Sequence, residues 1–456
     1  MNIQEILNRV PDYQTFLTVE EMDRHSLALA EKYPEVVSVR KIGESQQGHP
    51  MYVLKIGEGQ ENAYIMGCPH PNEPIGAMML EFLTEELATN EELRQELGFT
   101  WYILKTADPD GVKLNEGWFQ GPFTLYNYAR HFYRPASDQQ VEWTFPLDYK
   151  TLHFHSPLPE TAAVMRLLEE IKPRFLFSLH NSAFGGAYWY ISEAKPALLN
   201  QLPLAAGRQG IPLNLGEPEM PCCTVYSDAI FEFPGMPMMY DFYESMTGQD
   251  PVGMLNGGAS SVDFAKLQGP CFGLVCEMPY FMYPQAMDMT PTEVSRREAV
   301  LKNVEIVQEL YRRMKPLAET LCPLLPERDS YRLALEERMA VYEPSLLANQ
   351  NFALQSPEYE APATVAQRFD NLYAIPFYHL LGAGMIAKGA EKAKTLHPER
   401  AEELDRVVAE ADELIRTRCA ELEQVTTFEA VAIRRLVSVQ LESGLRVAAQ
   451  LAAERP

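Results

Sequence analysis

The chain has 456 residues, 46% of them hydrophobic and 22% charged, which suits a globular protein with a large core, a main domain plus something extra. Its formal net charge of −24 argues against binding nucleic acid or anionic membranes, because both require basic patches. No apolar run is long enough to span a bilayer, and the opening Met1-Asn2-Ile3-Gln4-Glu5-Ile6-Leu7 lacks the basic and apolar regions of a signal peptide.

Residues 18–34 read as a helix, with Thr18 as N-cap and Glu21 three residues on to complete a capping box. Strand signals follow at 36–43 and 51–56, separated by a turn at Gly48-His49-Pro50. A third strand, 63–66, runs into Gly67-Cys68-Pro69-His70-Pro71-Asn72-Glu73-Pro74, and a helical pattern begins at Ile75 and continues to 88. A strand is expected at 100–104 and a Gly/Pro turn at Asp108-Pro109-Asp110-Gly111.

The alternation then repeats. Residues 159–171 carry apolar side chains at helical spacing, and Arg174-Phe175-Leu176-Phe177-Ser178-Leu179 reads as a buried parallel strand ending at His180. Phe272-Gly273-Leu274-Val275-Cys276 is a similar run ending at Glu277. Helix-alternating strands predict an α/β fold with a mixed, mostly parallel twisted sheet and helices on both faces. Functional groups collect at the carboxyl ends of the strands in such sheets, and His70, His180 and Glu277 all lie there.

Beyond residue 320 strand signals cease. Segments near 330–341, 375–395, 398–423 and 427–454 are rich in Ala, Leu, Glu and Arg at helical spacing, and Thr426 with Glu429 suggests another capping box. The expected organisation is a catalytic region 1–320 and a C-terminal all-helical region 321–456, packed on the catalytic domain or used for homo-oligomerisation. Seven scattered cysteines without a CxxC pair suggest neither a disulfide framework nor a thiolate metal site, and a reducing cytoplasm is the expected setting. The adjacent Cys222-Cys223 reads as ordinary packing.

A histidine and a glutamate three residues apart at a strand end suit Zn²⁺, with His180 as a third ligand and room left for water. Each feature alone has a plainer explanation: a surface turn for the pair, a satisfied core histidine for His180, a strand-end salt bridge for Glu277. Glu277 closes an apolar strand, where a carboxylate needs a partner or a task, and it suits a general base that passes a proton from water to a leaving amine.

Taken together, these residues resemble the zinc carboxypeptidase family (peptidase family M14) over about residues 20 to 315. The resemblance implies that His70, Glu73 and His180 bind one Zn²⁺, that Asp108-Pro109-Asp110-Gly111 is the family's N-P-D-G turn, and that Glu277 is the catalytic base. Tyr33-Pro34-Glu35-Val36, Ile42 to Gly48, Ser156 to Thr161 and Gly257-Gly258 with Asp263-Phe264-Ala265 are similar to other family segments. It implies a zinc carboxypeptidase-like fold and hydrolysis of an amide bond in a peptide or acyl amino acid. Arg134 is the choice for the arginine that polarises the carbonyl and steadies the oxyanion, with Arg130 as runner-up.

The chain departs from that pattern where the substrate is read. Glu142 and Trp143 stand where the family carries an Asn-Arg pair for the substrate carboxylate, and a guanidinium clamp cannot be replaced by either. The family's tyrosine ahead of Gly-Gly has no counterpart in Gly253-Met254-Leu255-Asn256. Glu142, Trp143 and Asn181 are therefore candidate substrate-binding residues, with Glu142 facing a cationic or amino group. Two other readings are an N-acyl amino acid deacylase of the aspartoacylase type, whose H-G-N-E motif is similar to His70-Pro71-Asn72-Glu73, and a non-catalytic binding protein on the same fold.

Overall fold

The computed structural model describes residues 2–455; Met1 and Pro456, the outer ends of the two expected regions, lie outside them. A nine-stranded sheet forms the centre: β1 (Val37–Glu44), β2 (Pro50–Ile56), β3 (Glu61–Met66), β4 (Phe99–Leu104), β5 (Phe175–His180), β6 (Tyr188–Ile191), β7 (Val225–Ser227), β8 (Ile230–Glu232) and β9 (Phe272–Glu277). The spatial order is β1-β2-β4-β3-β5-β9-β6-β8-β7. The sheet is mixed, as expected. It is parallel through its centre, β4-β3-β5-β9, while β1-β2, β2-β4, β9-β6 and β7-β8 pair antiparallel. The outer strands β6, β7 and β8 were not expected, because three- and four-residue strands leave almost no periodic signal.

The central strands are buried at every position of β5 and β9, as their nearly continuous apolar sequences require. Helices α1 (Val19–Lys32), α2 (Ile75–Thr89) and α3 (Pro159–Ile171) form over the ranges read from periodicity, and the Thr18–Glu21 capping box is present. Gly76 lets α2 meet the sheet: a Cβ there would stand 2.4 Å from the Cβ of Leu179. On the opposite face lie α3 and α4 (Ser261–Gln268), where Val262 fills the space beside Gly273 of β9.

Asp108-Pro109-Asp110-Gly111 starts a helix rather than a simple turn. The Asp108 side chain accepts from the Gly111 amide at 2.8 Å and caps Pro109–Asn115. Burial pushes the Asp108 carboxyl up to about 7, with Glu160 and Asp110 adding to the effect. The folded protein thus holds a proton here that the unfolded chain releases near pH 4, so this group's contribution falls as pH rises to about 7. Asp108→Asn keeps a cap acceptor without the charge. Thermal unfolding followed from pH 5 to pH 8 is expected to show a smaller loss of stability for the variant than for wild type.

After α5 (Arg296–Leu321) come α6 (Ser330–Gln355), α7 (Ile375–Leu396), α8 (Ala401–Val425) and α9 (Ile433–Ala453). The first four pack on one another, while α9 returns to the sheet and lies against α2 and β5. Gln440 of α9 donates to the carbonyl of His180 at 2.8 Å. The expected Thr426–Glu429 capping box does not form. Glu429 and Ala430 pair instead with Met282 and Phe281, and Thr426 donates to Gln285 at 2.7 Å. Pairing across the fold overrides a cap worth about 1 kcal/mol, and the helix starts at Ile433. No helix among the described residues is long and apolar enough to cross a membrane.

Candidate active site

The loop between β3 and α2 and the end of β5 bring His70, Glu73 and His180 together, all buried, with one potential ligand atom from each within 4.8 Å of the others. His70 Nδ1 lies 3.2 Å from both Glu73 carboxylate oxygens, and His180 Nδ1 lies 3.1 Å from His70 Nδ1 and 3.0 Å from Glu73 Oε2. Parallel pairing of β5 with β9 sets Glu277 opposite His180, where its carboxyl comes within 3.9 Å of His180 Nδ1.

Arg134 completes the group. It donates to Glu73 Oε1 at 3.0 Å and lies 2.8 Å from His70 Nδ1. A guanidinium has only donors, so His70 presents a lone pair at that nitrogen. Burial, then Arg134, pushes His70 down to about 3, which keeps the ring neutral. Burial alone would raise Glu73, but His70 and His180 hold its carboxylate below the ordinary range. Two imidazoles and an ionised carboxylate converging in a buried pocket are the donor set that Zn²⁺ takes, and three protein ligands leave a position open. Burial, reinforced by Glu73 and Glu219, pushes Glu277 well above the usual carboxylate range.

Arg130, the runner-up, lies elsewhere: it pairs with Glu391 of α7 and, at 2.6 Å, with Asp412 of α8. Glu142 does not face a cation. Its buried carboxylate accepts from Ser261 Oγ at 2.9 and 3.0 Å, from the Ser261 amide at the start of α4 at 3.3 Å, and from Ser178 Oγ at 3.2 Å. Burial pushes it up to about 7. Ser178 Oγ also lies 2.9 Å from His180 Nε2. Were Nδ1 to hold a metal, Nε2–H would donate to Ser178, whose O–H donates to Glu142. This chain fixes the ring and its tautomer, and metal affinity is expected to fall about 10- to 100-fold in Ser178→Ala, measured by competition with a zinc chelator.

Two cavities flank the group. One, of about 280 Å³, has an apolar wall that includes Trp143, Met236, Met254 and Tyr243. Gly258 permits the backbone beside Trp143 to come close, since a Cβ there would stand 2.0 Å from the Phe145 carbonyl oxygen. The other, of about 410 Å³, runs beneath the C-terminal helices and is lined by Asn181, Ser182 and Tyr378 among others. Asn181, expected to bind substrate, thus lies on a cavity wall. Glu219 borders both cavities and accepts from the hydroxyls of Tyr188 and Tyr190, each at 3.2 Å. Ser178 carried a legible signal, a hydroxyl two residues before His180 in an apolar strand; Ser261, Glu219 and Tyr378 carried none.

Residues 22–197 match the zinc carboxypeptidase family. That segment holds His70, Glu73, Arg134 and His180 but ends before Glu277. The chain is 28% identical over 105 residues to carboxypeptidase B of Astacus astacus, covering 22% of this chain and 35% of that protein. It is 28% identical over 142 residues to zinc carboxypeptidase A 1 of Anopheles gambiae, covering 29% and 32%. The chain thus spans about a third of the length of these relatives. Among solved structures, carboxypeptidase A from Helicoverpa armigera matches 61% of this chain and 69% of its own at 16% identity, with a TM-score of 0.38.

Proposed function

We propose that the protein is a zinc-dependent hydrolase that cleaves an amide bond of a peptide or peptide-like substrate. The observation that carries this reading is the convergence of His70, Glu73 and His180 with Glu277 and Arg134 at one end of the sheet. His70 Nδ1, Glu73 and His180 Nδ1 would hold the ion. When bound, Zn²⁺ supplies a Lewis acid that activates water and polarises the substrate carbonyl.

Glu277 takes a proton from the attacking water and passes it to the amine nitrogen as the C–N bond breaks. Arg134, on the rim of both cavities, donates to the carbonyl oxygen as it becomes an oxyanion. Glu142 and Ser178 hold His180 in place. Trp143 presents an apolar wall to the cavity beside the group, so recognition at that position is apolar rather than through a guanidinium. A hydrolysis screen of the zinc-loaded protein tests the reading. It should span C-terminal, N-terminal, D-amino-acid and γ-glutamyl peptides together with acyl amino acids. Cleavage within one of these classes is expected, and no turnover of any of them contradicts it.

A further inference from the structure

The turn that follows His180 presents donors with nothing to bind. Asn181 is buried, and its Oδ1 accepts from the Ile75 amide at 3.2 Å and the Tyr280 hydroxyl at 3.3 Å. The Tyr280 hydroxyl donates more closely to the Asn72 carbonyl at 2.9 Å, and Asn181 Nδ2 is left without a partner among the described residues. Ser182, also buried, has an unpartnered Oγ. Tyr378 of α7 accepts from the Ala183 amide at 2.8 Å, which pins its oxygen, and its own proton meets no acceptor among the described residues. All three residues line the 410 Å³ cavity shared with His70, Glu73, Arg134 and Glu277.

Buried donors left unpaired are costly, so the grouping of Asn181 Nδ2 and Ser182 Oγ with the part-buried Tyr378 hydroxyl beside a reaction centre calls for an acceptor supplied from outside. An anion is disfavoured there: Glu73, Glu219 and Glu277 border the cavity, and Arg134, which lines it, is turned to His70 and Glu73. A neutral carbonyl oxygen accepts these bonds without that repulsion. We propose that Asn181, Ser182 and Tyr378 form a subsite for a neutral amide or acyl carbonyl of the substrate, on the side of the scissile bond beneath the C-terminal helices. It rests on the hydrolase reading for the placement of that bond. The helical region, through Tyr378, is then part of the substrate site rather than only an appendage.

Two compounds differ by one amide: N-acetyl-alanyl-alanine, and 2-methylpentanoyl-alanine, in which a propyl group replaces the acetamido group and removes its N–H along with its carbonyl. Their binding to the zinc-loaded Glu277→Gln protein is read by calorimetry, without turnover. The acetamido compound is expected to bind about tenfold or more tightly, and Tyr378→Phe and Ser182→Ala, each added to that background, are expected to reduce the preference to about twofold while the alkyl compound binds as before. Equal affinities, no measurable binding of either compound, or a preference unchanged in both variants would overturn the subsite. Hydrolysis by protein with Glu277 intact separates the two ideas. Turnover without preference removes the subsite and leaves the hydrolase; preference in binding without turnover of any substrate does the reverse.

Discussion

Glu277→Gln is expected to keep its metal and lose about a hundred- to ten-thousand-fold in kcat/KM. Gln is close to isosteric with Glu, so the end of β9 and its register with β5 should persist, and only the ability to take and return a proton is removed. The carboxyl lies 3.9 Å from His180 Nδ1 and borders both cavities, within reach of a water held between them. The pH profile gives a second reading. Burial with Glu73 and Glu219 nearby raises this carboxyl in the metal-free protein, and a cation among the ligands would lower it again. Activity of the zinc-loaded wild type should therefore rise with pH through an acidic limb, and that limb should be missing from any residual activity of Glu277→Gln. Near-normal turnover in the variant would remove Glu277 from the role of base.

His180→Ala is expected to weaken zinc binding on the order of a thousandfold, as loss of one of three ligands implies. The fold should survive, because β5 is held by apolar neighbours on both faces and by ladder bonds to β3 and β9. The measurement is zinc stoichiometry after gel filtration, with circular dichroism to check folding. Arg130→Ala provides the contrast. Arg130 joins Glu391 and Asp412, so its loss should lower thermal stability and leave the zinc content unchanged.

Much of this site was legible because three of its groups lie at or just past strand ends. His70, His180 and Glu277 follow apolar runs whose burial is dictated by composition, and parallel sheets gather strand ends on one edge. Arg134 was one of two arginines four residues apart, and only packing separates them: Arg130 is drawn to α7 and α8, while Arg134 turns to Glu73. Glu142 was misread because its partners, Ser178 and Ser261, stand 36 and 119 residues away in sequence. No local pattern announces such a bond. The expected Thr426 cap failed for the same reason, since its glutamate was recruited by a strand from residues 281–282. The helical periodicity of the C-terminal region was plain, but where Tyr378 and Gln440 would meet the sheet depends on how those helices pack.

If His70, Glu73 and His180 hold a zinc ion that supports amide hydrolysis, activity must follow the metal. The most direct measurement is peptide hydrolysis by the purified protein before chelation, after chelation and after one equivalent of Zn²⁺ is restored. Activity is expected to disappear with the metal and return with it, at about one zinc per chain, in wild type but not in His180→Ala. A protein that binds no zinc, or one whose hydrolysis is indifferent to its removal, would contradict it.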